Sequence, residues 1–337
     1  MKPFLTLIIT CFLTGISFAT PKDTPLVSPL SIFDYFHQDE VLEMAIFADF
    51  SKLIDQKLES EEYEAANIKL INPKGKLSSF PVKIKPRGKF RRRVCDFPPL
   101  KLKFKKDFLL ENGLDTFNKL KLVTHCTGDP SSNKEALLKE YLAYKMLNTL
   151  TNNSFRVQLL YITYVDISGK RENVSSFGFI LEEDEQVAHR LGGILLEQFS
   201  TQEAELDREQ AGMVSMFQYM IGNPDWDLAM NRNLKMVVNP ISGKISLIPY
   251  DFDFSGWVSP NYLKDQDRLK HDNERKLQGI QLTDVELESL KSNFRSKKAT
   301  FMESIEKSSY LEKSSQKKLR KYLDEFYEEL EELGAGS

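Results

Sequence analysis

Three short segments concentrate the side chains able to do chemistry. Gly222-Asn223-Pro224-Asp225-Trp226-Asp227 is followed by Asn231-Arg232-Asn233 and then by Tyr250-Asp251-Phe252-Asp253. Phosphoryl transfer needs few protein groups: a carboxylate that accepts a hydroxyl proton, oxygen ligands for Mg²⁺, and cations on the phosphates. An Asp, an Asn a few residues on, and a second Asp behind a short hairpin supply the first two. Such an all-oxygen set suits magnesium, whereas softer metals call for His or Cys. Taken singly, each residue is an ordinary turn former. Their combination, with a helix before and strands after, singles them out. A calcium loop does not fit: Asn223, Asp225 and Asp227 alternate, but Leu228 stands where Gly is needed and Leu234 where Glu is.

Cations for the phosphates are offered upstream. Lys101 and Lys103 share one side of the stretch Leu100 to Phe104, opposite its apolar residues. Before them, Arg87-Gly88-Lys89-Phe90-Arg91-Arg92-Arg93 is a turn dense in guanidinium groups, apt for phosphate. A solvated basic surface, or a patch for an acidic partner, is the competing reading. Glu140, inside a helical stretch, can pair with one of these lysines or make an ordinary surface salt bridge. Other chemistries are poorly served. The chain has no G-x-S-x-G elbow, no H-E-x-x-H helix and no P-loop, and its four His are scattered. His125 beside Cys126 is no dyad, since neighbouring strand residues point to opposite faces.

The elements that must carry these residues can be read from periodicity. Residues 41–49, 68–71, 80–85, 100–104, 119–123, 156–166 and 177–182 have strand character, several alternating apolar with basic residues. A helix is expected over 50–62, and a turn at Asn72-Pro73-Lys74-Gly75. The clearest helix runs from Asn133 to Leu150, where Leu137, Leu138, Tyr141, Leu142, Met146 and Leu150 form one stripe. Past Glu183 helix dominates: Glu203 to Met220, then three amphipathic stretches from Asp284 to Leu333. Two short strands, 234–238 and 244–249, interrupt that half. A sheet-rich first half and a helical second half make an α+β order, compatible with two lobes around a cleft. The C-terminal face of Tyr322, Leu323, Phe326 and Leu330 is expected to dock on its own domain.

Composition bounds the setting. The chain has 337 residues and a formal net charge of −3, which argues against a general nucleic-acid binder. The charge is uneven: between Lys83 and Lys106 there are eleven Lys or Arg against one acid, Asp96. At the start, Lys2, an apolar run from Phe4 to Ile16 and Ser17-Phe18-Ala19 read as a secretory signal over residues 1–19. The stretch is short for a membrane span, and no other segment is apolar enough for one. The protein is thus expected in the periplasm or outside the cell. Cys95 and Cys126 then remain, and an oxidising compartment invites a bridge between them.

Several of these segments resemble the spore-coat protein H (CotH) kinase family. Arg87-Gly88 followed by Phe97-Pro98-Pro99-Leu100-Lys101-Leu102-Lys103-Phe104 is similar to its RGN…KPYKIKF stretch. Leu138-Lys139-Glu140-Tyr141-Leu142-Ala143-Tyr144 resembles its REKLAY helix, and Phe177-Gly178-Phe179-Ile180-Leu181-Glu182-Glu183 its G-x-Y-x-L-x-E strand. Phe217 to Asp251 is similar both to CotH proteins and to HipA-type kinases. The resemblance covers roughly residues 80 to 256. It implies an atypical protein-kinase-like fold, with a β-rich N-lobe (20–182) and a mainly helical C-lobe (183–337). It also implies ATP and Mg²⁺ as cofactors, Asp225 as proton acceptor, and Asn233 and Asp251, with Asp253, around the metal. Lys101 or Lys103 would hold the phosphates, with Arg87 nearby and Glu140 as the lysine's partner. The Asp225-to-Asn233 interval exceeds that usual in such loops, so Asp227 and Asn231 compete for the same roles.

Two functions follow as expectations. One is an exported kinase acting on a protein acceptor; the other is a non-catalytic exported protein that keeps the fold as a binding module. The scarcity of ATP outside the cytoplasm favours the second, the retained Asp, Asn and Asp the first.

Overall fold

Alternation of apolar with basic residues in several segments of the first half commits them to strands with one buried face. In the computed structural model the described residues are 29–59, 62–71, 77–126, 130–197, 201–260 and 275–334. The expected secretory signal and the Asn72–Gly75 turn lie outside them. The strands are β1 (Leu42–Ala48), β2 (Glu64–Ile71), β3 (Leu77–Pro86), β4 (Leu100–Phe104), β5 (Lys119–Val123), β6 (Val157–Asp166) and β7 (Val174–Leu181). They close into a barrel in the order β1-β2-β3-β4-β5-β7-β6. Each neighbouring pair is antiparallel except β1 and β6, whose parallel register from Leu42↔Leu160 to Ala48↔Asp166 seals the barrel. The apolar half of each strand fills the interior, with Ile46, Ile68, Ile84, Leu102, Leu122 and Ile162 buried in one core. The lysines of β3, β4 and β5 therefore face outward.

Before β1 lies α1 (Ile32–Phe36), and between the strands lie α2 (Phe50–Asp55), α3 (Arg91–Val94), α4 (Lys106–Glu111) and α5 (Pro130–Leu150). Helix α2 is shorter than the expected 50–62. The four-residue α3 sits within the basic turn and was not expected, because so short a helix leaves no periodicity to read. A disulfide joins Cys95, just after α3, to Cys126, just after β5. It fixes the basic turn to the barrel wall. Helix α5 supplies Leu137, Leu142, Ala143, Met146 and Leu147 to a second core shared with the helical half.

That half contains α6 (Asp184–Arg190), β8 (Ile194–Leu196), α7 (Arg208–Met220), β9 (Leu234–Val238), β10 (Ile245–Pro249), α8 (Asp284–Lys307) and α9 (Lys313–Glu332). Strands β10, β9 and β8 form a small antiparallel sheet. Asp207 starts α7 by accepting from the Gln210 amide, and Thr283 with Glu286 makes a capping box for α8. Two helices, rather than three amphipathic stretches, span 284–332. Helix α9 buries Leu323, Phe326 and Leu330 against the protein's own core. The chain is thus a mixed α+β structure, β-rich first and helical after. Among the described residues no helix is long and apolar enough to cross a membrane.

Candidate functional site

Helix α7 delivers its chain into a tight corner. Gly222 has φ +56°, and a Cβ there would lie 2.3 Å from the Tyr322 hydroxyl oxygen on α9; only glycine meets both conditions. Asn223 then anchors the loop. Its side-chain amide donates to Gln218 Oε1 at 3.0 Å, and its Oδ1 accepts from the Asp225 amide at 3.0 Å. Asp225 is held in turn by Asn233, whose Nδ2 donates to the Asp225 carbonyl at 2.6 Å and to Oδ2 at 3.0 Å. Arg232 Nη1 stands 3.6 Å from Asp225 Oδ1.

The β9–β10 hairpin brings Asp251 back to this loop. The Tyr250 amide donates to the Asn233 carbonyl at 3.0 Å, and the Asp251 amide donates to the buried Tyr144 hydroxyl of α5 at 2.8 Å. Asn231, Asn233 and Asp251 all have positive φ, at 48°, 55° and 64°. Left-handed backbone is tolerated best by Asn and Asp among residues with a Cβ, yet still costs about 1 kcal/mol or more at each position. Three such residues at one loop junction are held there by the surrounding hydrogen bonds.

Asp227 and Asn231 are placed differently. Asp227 Oδ1 accepts from the Met230 amide at 2.7 Å, while its backbone exchanges hydrogen bonds with Arg232 at 3.2 and 2.9 Å. It closes its own turn. Asn231 forms the far side of that turn.

Beneath Asp251 lies a buried ionic group. Arg91 of α3 donates from Nε to Asp253 Oδ2 at 2.9 Å and from Nη2 to Glu140 Oε2 at 2.7 Å. The two carboxylate side chains are 4% and 3% exposed and the Arg91 side chain 12%, so the group is shielded from water. Burial pushes the Glu140 carboxyl up to about 7, with the Arg91 guanidinium pulling the other way. Glu140 Oε1 finds no hydrogen-bond partner. Burial and then the Asp253 charge raise Asp251 as well, against Arg91 and Arg87. The expected pairing of Glu140 with Lys101 or Lys103 is corrected: its cation is Arg91. A basic turn with many cations leaves the sequence unable to say which one reaches inward.

The lysines form rows across the outer face of the sheet. Register places Lys85 opposite Lys101 and Lys101 opposite Lys121. Lys103 lies toward solvent, its ammonium 5.6 Å from the Tyr63 ring centre, and burial lowers the pKa of half-exposed Lys101. Lys121 reaches Tyr250, the residue before Asp251. It pairs with Asp184 at the start of α6, and its ammonium lies 5.1 Å from the rings of both Phe155 and Tyr250. Lys235 also meets Asp184, at 3.1 Å. Burial brings the Lys121 ammonium down to about 8 despite Asp184, and the charge of neighbouring Arg87 adds to the fall. Lys121 was missed in the sequence although Lys119-Leu120-Lys121-Leu122 repeats the alternation of β4 one strand later. Nothing local distinguishes it; the contacts with Phe155, Asp184 and Tyr250 are all distant in sequence.

Among the described residues no three Asp, Glu, His or Cys side chains gather closely enough to hold a metal ion. Asp251 and Asp253 are nonetheless close enough to repel, and a divalent cation relieves such repulsion.

No protein-family model and no curated protein matches the chain. Solved structures that resemble it include the proinflammatory kinase CtkA of Helicobacter pylori, at 12% identity and TM-score 0.38, over 70% of this chain and 93% of that one. The Golgi casein kinase, in a structure with Mn and ADP bound, is similar at 8% identity and TM-score 0.34, over 88% of this chain and 73% of that one.

Proposed function

We propose that the chain is an exported atypical kinase, moving a phosphoryl group from Mg·ATP to a hydroxyl of a protein acceptor. The observation that carries this reading is the Asp225–Asn233–Asp251 junction. Asn231, Asn233 and Asp251 have left-handed backbone, Asn233 Nδ2 holds Asp225 by two hydrogen bonds, and the Tyr250 amide ties the end of β10 to the Asn233 carbonyl. A turn serving structure alone has no need of this strained set.

In this reading Asp225 accepts the proton of the attacking hydroxyl, held in orientation by Asn233 Nδ2, with Arg232 Nη1 3.6 Å from its other oxygen. Asp251, Asp253 and the Asn233 amide oxygen would hold Mg²⁺, which when bound neutralises charge on the phosphates. Lys121 and Arg87 face the phosphate chain, and Phe155 and Tyr250 flank the lysine as apolar walls. The Arg91 bridge to Glu140 and Asp253 ties the basic turn to α5 and to the segment after Asp251. Lys121 takes the role first given to Lys101 and Lys103, which lie one strand away on β4.

Export is supported by the Cys95–Cys126 disulfide, a bond of oxidising compartments. The same bond supports the alternative, a non-catalytic binding module, since ATP is scarce there. A transfer assay with radiolabelled ATP, Mg²⁺ and an unfolded protein acceptor separates the two. The kinase reading expects label on the acceptor and a loss of about 10²-fold or more in Asp225→Asn. Equal incorporation by wild type and variant, or none by either, refutes it.

A further inference from the structure

The outer face of β3, β4 and β5 carries a charge pattern that the Asp225–Asp251 junction leaves unused. Register sets Lys83, Lys103 and Lys119 opposite one another in one row across the three strands, and Lys85, Lys101 and Lys121 in a second. Neighbouring strands lie about 4.8 Å apart, so each row spans about 10 Å, and the rows stand about 7 Å apart along the strands. Like charges directly opposite on a sheet repel and destabilise it.

Acids relieve this repulsion on one side only. Glu183 and Glu185 meet Lys119 at 3.2 and 3.5 Å, and Asp184 pairs with Lys121. All three acids belong to the start of α6 and serve the lysines of β5. Lys83, Lys101 and Lys103 form no ion pair among the described residues. Lys101 has a lysine on each side. Burial, then the Lys119 and Lys85 charges, lower its pKa, against Asp184 and Glu183. One ring braces two of the ammoniums: Lys85 lies 5.2 Å and Lys103 5.6 Å from the Tyr63 ring centre. The β3 and β4 part of the face is thus a positive surface on a chain whose formal net charge is −3.

That contrast selects the partner. A compact patch bounded at its β5 edge by Glu183, Asp184 and Glu185 suits a short run of carboxylates. A long polyanion such as nucleic acid would run onto those acids and then meet a negatively charged remainder. From the lysine rows and their one-sided counter-charge, we propose that this face docks a short acidic polypeptide segment. Its carboxylates meet the ammoniums of Lys83, Lys101 and Lys103. Docking does not depend on phosphoryl transfer.

A fluorescein-labelled Glu-rich peptide is the probe, with its Gln-for-Glu counterpart as the control. Fluorescence anisotropy on the full chain, without nucleotide, is the readout. Wild type binds the Glu peptide, more weakly as salt rises, and binds the Gln peptide far less. Lys83→Gln, Lys101→Gln and Lys103→Gln made together weaken the Glu peptide by roughly tenfold, the value of about three exposed charge contacts. Lys317→Gln, Lys318→Gln and Lys321→Gln, made together at exposed positions of α9, remove the same charge and change the affinity by less than about twofold. The first variant takes repelling charges off an outer face, so the fold is retained, which circular dichroism verifies. The proposal is overturned by no binding of the Glu peptide to wild type, by equal binding of the two peptides, or by equal losses in the two triple variants. Tighter binding of a single-stranded oligonucleotide of the same net charge also overturns it.

Discussion

Arg91→Met isolates the buried ionic group that ties the basic turn to the site. Methionine keeps much of the apolar stem but removes both bonds to Glu140 Oε2 and Asp253 Oδ2, at 2.7 and 2.9 Å. Two carboxylates, 3% and 4% exposed, then lose a shared cation. Breaking a buried pair in this way costs about 3–5 kcal/mol. The loss is pH-dependent, and the sign follows from Glu140. Its folded pKa of about 7 lies above the ordinary 4.5, so the native state binds the extra proton between these values. Wild-type stability from this group is therefore present below 4.5 and lost as pH rises to 7. Removing Arg91 raises the folded value further, so the variant continues to lose stability above pH 7, where wild type has levelled. The deficit should grow by roughly 1 kcal/mol between pH 6 and pH 8, since each pKa unit is worth about 1.4 kcal/mol. Urea denaturation at both pH values measures it. Glu140→Gln in the same background should remove most of the pH dependence. A deficit under about 1 kcal/mol, or one that is equal at pH 6 and pH 8, would refute the reasoning.

Three further outcomes are expected. Gly222→Ala introduces a Cβ 2.3 Å from the Tyr322 hydroxyl at φ +56°, and should cost roughly 1–3 kcal/mol in chemical denaturation. Adding Tyr322→Phe should return part of it by relieving the clash, leaving the backbone strain. Replacing Cys95 and Cys126 by serine opens a cross-link with a sequence separation of 31, and should lower stability by roughly 3–4 kcal/mol. The difference should vanish when wild type is measured under reducing conditions. Asp166→Asn tests the turn at the barrel mouth. Burial works against the Asp166 charge, but bonds from Ser168, Ser51 and Arg171 outweigh it and hold the carboxyl far below its ordinary 3.8. Its contribution is therefore present above pH 3.8 and lost as pH falls below that, so the variant's deficit should be full at pH 7 and shrink in acid.

The barrel was the legible part of the fold. Val82 and Ile84, or Leu100, Leu102 and Phe104, alternate with lysines so regularly that inside and outside follow from the order of residues alone. Its closure was not legible: β1 and β6 meet across more than a hundred residues, and no local pattern reports a parallel partner. Strand β8 has three residues, and α3 four, too few for either period to show. At the candidate site, the chain segments holding Asp225, Asn233 and Asp251 could be named, because Asn, Asp and Gly cluster where backbone turns sharply. Which carboxylate closes the turn and which faces outward could not. Asp227 and Asp225 are two residues apart, and hydrogen bonds from Met230 and Asn233 separate their roles. The cations failed for the same reason. Arg91 and Lys121 are distinguished from their basic neighbours by Glu140, Asp253, Asp184 and Tyr250, all distant in sequence.

The central claim is that the Asp225–Asp251 junction, with Lys121, receives Mg·nucleotide. Thermal denaturation of the purified protein in millimolar Mg·ATP tests it most directly, because a ligand that binds the native state raises the midpoint with concentration. The account predicts a rise in wild type that requires Mg²⁺ and is lost in Asp251→Ala and in Lys121→Met. An unchanged wild-type midpoint, or a rise that survives both substitutions, would contradict it.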